Sequence, residues 1–287
     1  MTGMNITRIN HVAYPISDRG KTLPFYRDVL GLAVIPSMVD NENVIWTQMA
    51  DGTMVHPIEP PPGGGSAGFH VAFQVDDIDA ARAIIDQAGI EVTAEGERHD
   101  GQRYFFVFDP DGNRVEVATG NDRKPNQRVT DEWGVTTDGG SGSKRHAPDA
   151  PIRVQAVEHV GLPVTDRRRA ITFYRDVLGL RIIPSMVDSE TISWLGLANG
   201  SMVHLIEPRP DGSSAGHHAG FEVPDYGGAL AALAAIGIAE PRQGERHDGR
   251  MAVHFADPDG NHVELVSNEE PRTGHRVADE WGYTKAI

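Results

Sequence analysis

Between Arg8 and Ile16 apolar and polar residues alternate with the period of a half-buried strand, and His11 falls within it. Asp18 then offers an N-cap, and Leu23, Phe25, Tyr26, Val29 and Leu30 form the apolar face of a helix that Gly31 ends. Strands are expected around 32–38 and 43–49. A third, over Thr53–Glu59 after the Asp51-Gly52 turn, carries His56. The stretch PPPGGGSAG at 60–68 resets the pattern, and its triple glycine at 63–65 reads as a connector. A strand over 69–75 with His70 follows, then a helix over 78–88 closed by Gly89, then short strands that end in one carrying Glu116. The half-chain therefore reads as two successive β-α-β-β-β units.

The same order returns 148 residues later. Residues 96–116, GERHDGQRYFFVFDPDGNRVE, recur without a gap at 244–264 as GERHDGRMAVHFADPDGNHVE. Each copy reads as an apolar strand, an Asp-Pro-Asp-Gly turn (Asp109 to Gly112, Asp257 to Gly260) and a short alternating strand. In that last strand Glu116 or Glu264 shares a face with apolar core positions. A carboxylate there needs a partner, because burying it alone costs on the order of several kcal/mol. The offset also pairs His11 with His159, His56 with His204, His70 with His218 and His99 with His247. The tail NQRVTDEWGVT at 126–136 returns as GHRVADEWGYT at 274–284 and so belongs to the repeating module. Only 138–151, DGGSGSKRHAPDAP, has the Gly, Ser and Pro content of a linker, with His146 a surface residue in it. Modules are expected over 1–137 and 152–287.

Composition narrows the chemistry. A chain of 287 residues with 39% apolar content and a mean hydropathy of −0.36 suits a soluble protein of two domains. Its 26 basic and 41 acidic residues give a net charge of −15, and the densest basic cluster, Arg167 to Arg169, reads as a solvated helix start. Nucleic acid and anionic membranes are therefore not expected as partners. The absence of cysteine excludes thiolate nucleophiles, zinc fingers and disulfides. No apolar run approaches a membrane span and the N-terminus lacks a charged-then-apolar leader, so a cytoplasmic location is expected.

Four β-α-β-β-β units in tandem, with a His early in the first unit, a His opening the second and a Glu closing it, resemble the vicinal oxygen chelate superfamily. That superfamily includes glyoxalase I, fosfomycin resistance proteins and extradiol ring-cleavage dioxygenases. The resemblance covers nearly the whole chain and implies an α+β fold, a tandem duplication whose four βαβββ units form two half-open barrels. The sequence is most similar to type I extradiol dioxygenases, whose signature sets a His, a short spacer, an apolar residue and a Tyr before a Pro-x-Gly turn and a ligand Glu. Here His99 is followed by Phe105, Phe106, Pro110, Gly112 and Glu116, and His247 by Val253, His254, Pro258, Gly260 and Glu264. The paired His217-His218, the preceding His204 and Trp281-Gly282 also resemble that family. Two departures stand out: Phe106 and His254 occupy the Tyr position, and both halves keep a ligand set where those dioxygenases usually keep only the C-terminal one.

The resemblance implies two metal sites, His11, His70 and Glu116 in the first half and His159, His218 and Glu264 in the second. Two imidazoles and a carboxylate suit iron(II), leaving positions open for a substrate with adjacent oxygens and for dioxygen; manganese, zinc or nickel are alternatives. His56 and His204 match the family's acid-base residue if they stay off the metal. As ligands they would make the site three His and one Glu, closer to glyoxalase I, and as core residues they would only pack. His99 and His247 resemble the His that hydrogen-bonds the substrate oxygen, or are turn residues beside Asp100-Gly101 and Asp248-Gly249. His254 can donate a proton near neutral pH and Phe106 cannot, so the two halves are expected to differ in chemistry. Trp46 and Trp194 either stack on a planar substrate or belong to the core, and Tyr26 and Tyr174 read as structural. The expected function is metal-dependent extradiol-type cleavage of a catechol-like aromatic, an oxidoreductase of aromatic catabolism using dioxygen. The alternatives are a glyoxalase-like lyase or isomerase and a resistance-type binding protein, the latter disfavoured by the ligand set. A small molecule with vicinal oxygens is the expected partner, and a homo-oligomer is compatible with this reading.

Overall fold

The computed structural model describes residues 3–60, 68–120, 150–209, 212 and 216–269, and the backbone of 128–130, 136–138, 276–278 and 284–286. The first module holds eight strands: β1 (Ile6–Pro15), β2 (Ala33–Val34), β3 (Thr47–Gln48), β4 (Met54–Ile58), β5 (His70–Val75), β6 (Ala94–Glu97), β7 (Arg103–Phe108) and β8 (Arg114–Thr119). They form one open sheet in the order β2-β3-β4-β1-β5-β8-β7-β6. A small hairpin, β9 (Arg128–Thr130) with β10 (Thr136–Asp138), follows. The second module repeats the plan with β11 (Val157–Pro163), β12 (Arg181–Ile183), β13 (Ile192–Gly196), β14 (Met202–Ile206), β15 (His218–Val223), β16 (Arg242–Glu245), β17 (Met251–Ala256) and β18 (His262–Ser267). Its sheet runs β12-β13-β14-β11-β15-β18-β17-β16, and β19 (Arg276–Ala278) pairs with β20 (Thr284–Ala286). The fold is thus the duplicated one expected, with neither sheet closing into a barrel.

Each sheet is two β-α-β-β-β units joined edge to edge. The first helix, α1 (Arg19–Pro24), is capped by the Asp18 carboxylate, which accepts from the Gly20 amide, and continues as a wider turn over Phe25–Val29. Gly31, at φ 79°, ends it. Helix α2 (Ile78–Gln87) is capped by Asp77; α3 (Arg167–Ile171) and α4 (Tyr226–Ala235) repeat the pair with Asp166 and Asp225. None of the described helices is long and apolar enough to cross a membrane. The strands expected over 32–38 and 43–49 shrink to β2 and β3, with one isolated pairing of Val44 with Ile58. Pro36 lacks an amide donor, and the polar run Asp40 to Asn43 has nothing apolar to bury. Residues 63–65, His146 and Trp281-Gly282 lie outside the described residues.

One apolar core runs through both modules and includes Ile9, Tyr26, Phe73, Val160, Tyr174 and Phe221. The modules also exchange bonds reciprocally. The amide of Met4 donates to Val177 and that of Ile152 to Val29, both at 3.0 Å. The Tyr26 hydroxyl donates to Asp257 at 2.9 Å and that of Tyr174 to Asp109 at 3.0 Å, so each helix secures the Asp-Pro-Asp-Gly turn of the other module. His217 belongs to this seam, stacked on Phe69 at 4.7 Å and hydrogen-bonded to Asn113 at 2.8 Å.

Candidate metal centres

Strand register explains why the candidate ligands meet. Residues directly opposite one another in neighbouring strands point to the same face. In the first sheet His11 faces Ala72, Ala72 faces Glu116 and Glu116 faces Phe106, while His56 and His70 both face Ala13. In the second sheet the row is His159, Gly220, Glu264 and His254, while His204 and His218 both face Gly161. A β-carbon added to Gly161 or Gly220 would lie 2.0 Å from the ring of His218 or His159, so glycine lets these imidazoles lie against the strand. Ala13 and Ala72 hold those places in the first sheet.

In the first module His11 Nε2 lies 3.3 Å from His70 Nε2 and 3.2 Å from Glu116 Oε2, and His70 Nε2 lies 3.6 Å from Glu116 Oε2. In the second, Glu264 Oε2 is 3.1 Å from His159 Nε2 and 3.7 Å from His218 Nε2. Donors about 2.1 Å from one divalent ion sit roughly 3 Å apart when adjacent, so both sets have the spacing of a metal-binding face. Glu116 Oε2 and His159 Nε2 are buried and face the other ligands of their sets at 3.2 and 3.1 Å, without a well-formed hydrogen bond among the described residues. Such converging acceptors call for a cation, and both sets fit a divalent metal.

The outward atoms of these ligands are held elsewhere. Glu116 Oε1 accepts from Arg98 at 2.6 Å, and Glu264 Oε1 from Arg246 at 2.9 Å. His11 Nδ1 meets Asn10 Oδ1 at 2.9 Å, and His159 Nδ1 meets Glu158 Oε2 at 2.5 Å. These contacts fix ring and carboxylate orientation and leave Nε2 and Oε2 pointing inward. Arg98 and Arg246 precede His99 and His247, the residues that the sequence pattern singles out. The structure reverses the two: the arginines are buried beside the carboxylates, whereas His99 pairs with Asp40 at 3.1 Å and His247 with Asp188 at 3.4 Å, outside both cavity linings. The available signal was GERHDG itself, which carries its Arg in both copies.

His56 stacks on His11 with ring centres 4.1 Å apart, and His204 stacks likewise on His159 at 4.1 Å. Trp46 and Trp194 back them at 4.2 and 3.7 Å, and both indoles are buried. One ring nitrogen each of His159, His204 and His218 lies within 4.8 Å of the others, so His204 stands within reach of the same ion.

The cavities differ in size. That over the second set measures about 490 Å³, that over the first about 210 Å³. Tyr104, Phe106 and Arg114 fill the first, with the Arg114 guanidinium 3.8 Å over the Phe106 ring. Ala252, His254 and His262 occupy the matching places in the second and leave it open, with His254 Nδ1 3.1 Å from His262 Nε2.

Electrostatics separate the sites as well. Burial lowers His11, and lowers His70 to about 3. Burial alone would raise Glu116, but Arg98 and His11 outweigh it and bring the carboxyl to about 2. In the second site burial drives His204 and His218 well down. His159 is raised instead, because Glu264 and Glu158 outweigh its burial. Glu158 stands where the first module has Asn10, and it is neutralised by Arg246 at 2.7 Å and Arg250 at 2.9 Å. Burial lowers His254 to about 4, so its charge changes well below the neutral range expected from the sequence.

The chain is 26% identical over 199 residues to a catechol-2,3-dioxygenase of Bacillus subtilis, covering 62% of this chain and 66% of that protein. It is 23% identical over 159 residues to a lactoylglutathione lyase of Schizosaccharomyces pombe, covering 45% and 53%. These matches therefore span less than two thirds of either relative. Among solved structures, the Mn(II)-bound glyoxalase from Novosphingobium aromaticivorans shares the fold at a TM-score of 0.66 and 20% identity, over 98% of this chain and 92% of that one. The Glyoxalase/Bleomycin resistance protein/Dioxygenase superfamily matches residues 8–117 and 156–265, the stretches that carry the two His and Glu constellations, and the chain belongs to that superfamily.

Proposed function

We propose that this chain is a metal-dependent oxidoreductase that opens a catechol-like aromatic ring with dioxygen, working chiefly at its second site. The observation that carries this reading is the convergence of His159, His218 and Glu264 beside a 490 Å³ cavity, with His218 and Glu264 in its lining and His159 buried behind them, and the cavity is wide enough for an aromatic ring. A divalent ion held by these residues, with iron(II) the first expectation, would act as a Lewis acid that favours the deprotonated diol. Ile192, Trp194, Ile206 and Ala252 offer apolar wall to the ring. His204, kept neutral by burial, is placed to take a hydroxyl proton, and the His254–His262 pair is placed to return one. Arg246 holds Glu264 in position throughout. The first site is proposed to bind metal without comparable turnover, because Tyr104, Phe106 and Arg114 occupy the space a ring would need.

A lyase or isomerase reading keeps one specific support, the approach of His204 to His159 and His218, which would complete a three-His, one-Glu site. Metal analysis and oxygen uptake on protein prepared without air or added metal decide between the two. Iron with oxygen consumed in step with catechol supports the dioxygenase. Zinc or nickel, no oxygen uptake and conversion of a hemithioacetal support the lyase.

A further inference from the structure

The second cavity holds two cations that the first lacks. Arg242, Arg246 and Arg209 all line it, but Arg246 is committed to Glu158 and Glu264. Arg242 lies in register with His254 across β16 and β17, and His254 with Glu264 across β17 and β18. The three side chains therefore share one face, and two strand spacings put Arg242 roughly 10 Å along the sheet from the candidate ligand Glu264. Arg209 stands just past the end of β14. The equivalent residues of the first module are Ala94 and Pro61, so both cations accompany the open cavity. Of the acidic groups lining the cavity, Glu264 pairs with Arg246 at 2.9 Å, Glu207 with Arg167 at 2.9 Å and Asp188 with His247 at 3.4 Å, and Glu245 stands at the far end of β16 from Arg242. Neither Arg242 nor Arg209 has an ion-pair partner among the described residues. A guanidinium without an ion-pair partner favours an anion alongside it, so Arg242 and Arg209 mark the places at this cavity where a negative group would bind.

Resting on the proposal that the second cavity is the substrate site, we infer that its substrate carries a carboxylate about one ring width from the chelating oxygens. Arg242 receives that carboxylate with its planar fork of donors, and Arg209 adds to the attraction at the mouth. The substrate class is a vicinal-oxygen chelator bearing an anionic side group, as opposed to an unsubstituted or alkyl one. A guanidinium suits this because it binds a carboxylate through two parallel hydrogen bonds and stays charged at every working pH.

The test compares 3,4-dihydroxybenzoate with its neutral methyl ester, measured as equilibrium binding to the metal-loaded, full-length protein without oxygen, and separately as oxygen uptake. The acid should bind about tenfold to a hundredfold more tightly than the ester, the range for hydrogen bonds to charged groups. Arg242→Ala should bring that ratio close to one, and Arg242→Lys should retain part of it. Arg181→Ala makes the same charge change at an exposed residue of β12, outside the cavity, and should leave the ratio as it is. Equal binding of acid and ester by the wild type, equal weakening of both by Arg242→Ala, or no binding of either probe would each overturn the inference. Carboxylate preference without oxygen uptake upholds the inference and removes the dioxygenase assignment. Oxygen uptake without carboxylate preference does the reverse.

Discussion

The hydroxyl of Tyr14, on β1 of the first module, accepts a hydrogen bond from the amide of Ala219, on β15 of the second, at 2.6 Å. It donates in turn to the carbonyl of His262 at 3.2 Å. Ala219 follows the candidate ligand His218, and His218 and His262 are register partners across β15 and β18. One module thus clamps the strand ends that carry the other module's site. The reciprocal position holds Leu162, which has no hydroxyl, so the first site has no such clamp among the described residues.

Tyr14→Phe leaves the Ala219 amide without its partner, at a cost of about 1–3 kcal/mol. Metal should dissociate from the second site about tenfold more readily, while the first site's affinity stays as it was. Titrations in Glu116→Gln and Glu264→Gln backgrounds read the two sites one at a time. An equal loss at both would make Tyr14 a general packing residue.

Replacing the two glutamates should have unequal effects on stability. Glu116→Ala removes the only carboxylate paired with Arg98 among the described residues, leaving it stacked between Trp46 and Tyr104 with its charge unmatched. Uncompensated buried charges cost about 3–5 kcal/mol. Arg246 keeps Glu158 when Glu264 is replaced, so Glu264→Ala should melt at a higher temperature than Glu116→Ala. Each variant should lose one metal equivalent, yet Glu264→Ala should lose most of the turnover. Matching melting temperatures would refute the inequality of the two arginines.

Metal uptake should also respond to pH differently at the two sites. In the first set His11 is lowered from its ordinary value by burial, His70 to about 3 and Glu116 to about 2, so loading it near neutrality should release few protons. His159 is raised, so its imidazolium is present in the metal-free protein below its shifted pKa and disappears as pH rises through it. Affinity at the second site should therefore climb with pH, approaching about tenfold per unit below that pKa. Calorimetry in buffers of different ionisation enthalpy counts the protons. A proton-free uptake at pH 6 in the Glu116→Gln variant would contradict the assignment.

His254 is lowered to about 4 from an ordinary 6.5, so the fold favours its neutral form. The stability it contributes is fully present above about pH 6.5 and is lost as pH falls towards 4. His254→Phe cannot take up that proton and should flatten the acid side of the stability profile. Urea unfolding at pH 7 and 4.5 measures the difference, and an unchanged gap between the two pH values would show that His254 does not carry it.

Much of this architecture was legible along the chain. Alternation with period two places His11, His70 and Glu116 in strands, the resemblance to the vicinal oxygen chelate superfamily implies that they form one ligand set, and the gapless 148-residue repeat carries the same set to His159, His218 and Glu264. Asp18 and Gly31 mark their helix because capping and positive φ are local requirements. The arginines were not legible, because an Arg beside a turn is solvated by default. Only the β6–β7–β8 pairing folds Arg98 back onto a carboxylate 18 residues away. Nor could the repeat reveal that Tyr26 secures Asp257 and Tyr14 holds Ala219, since those bonds exist only once the modules pack. Cavity size followed the same rule: Tyr104, Phe106 and Arg114 read as ordinary strand residues until cross-strand packing placed them over one site and left the other open. Short-range geometry set the strands, helix caps and turns, and long-range packing decided what surrounds the ligands.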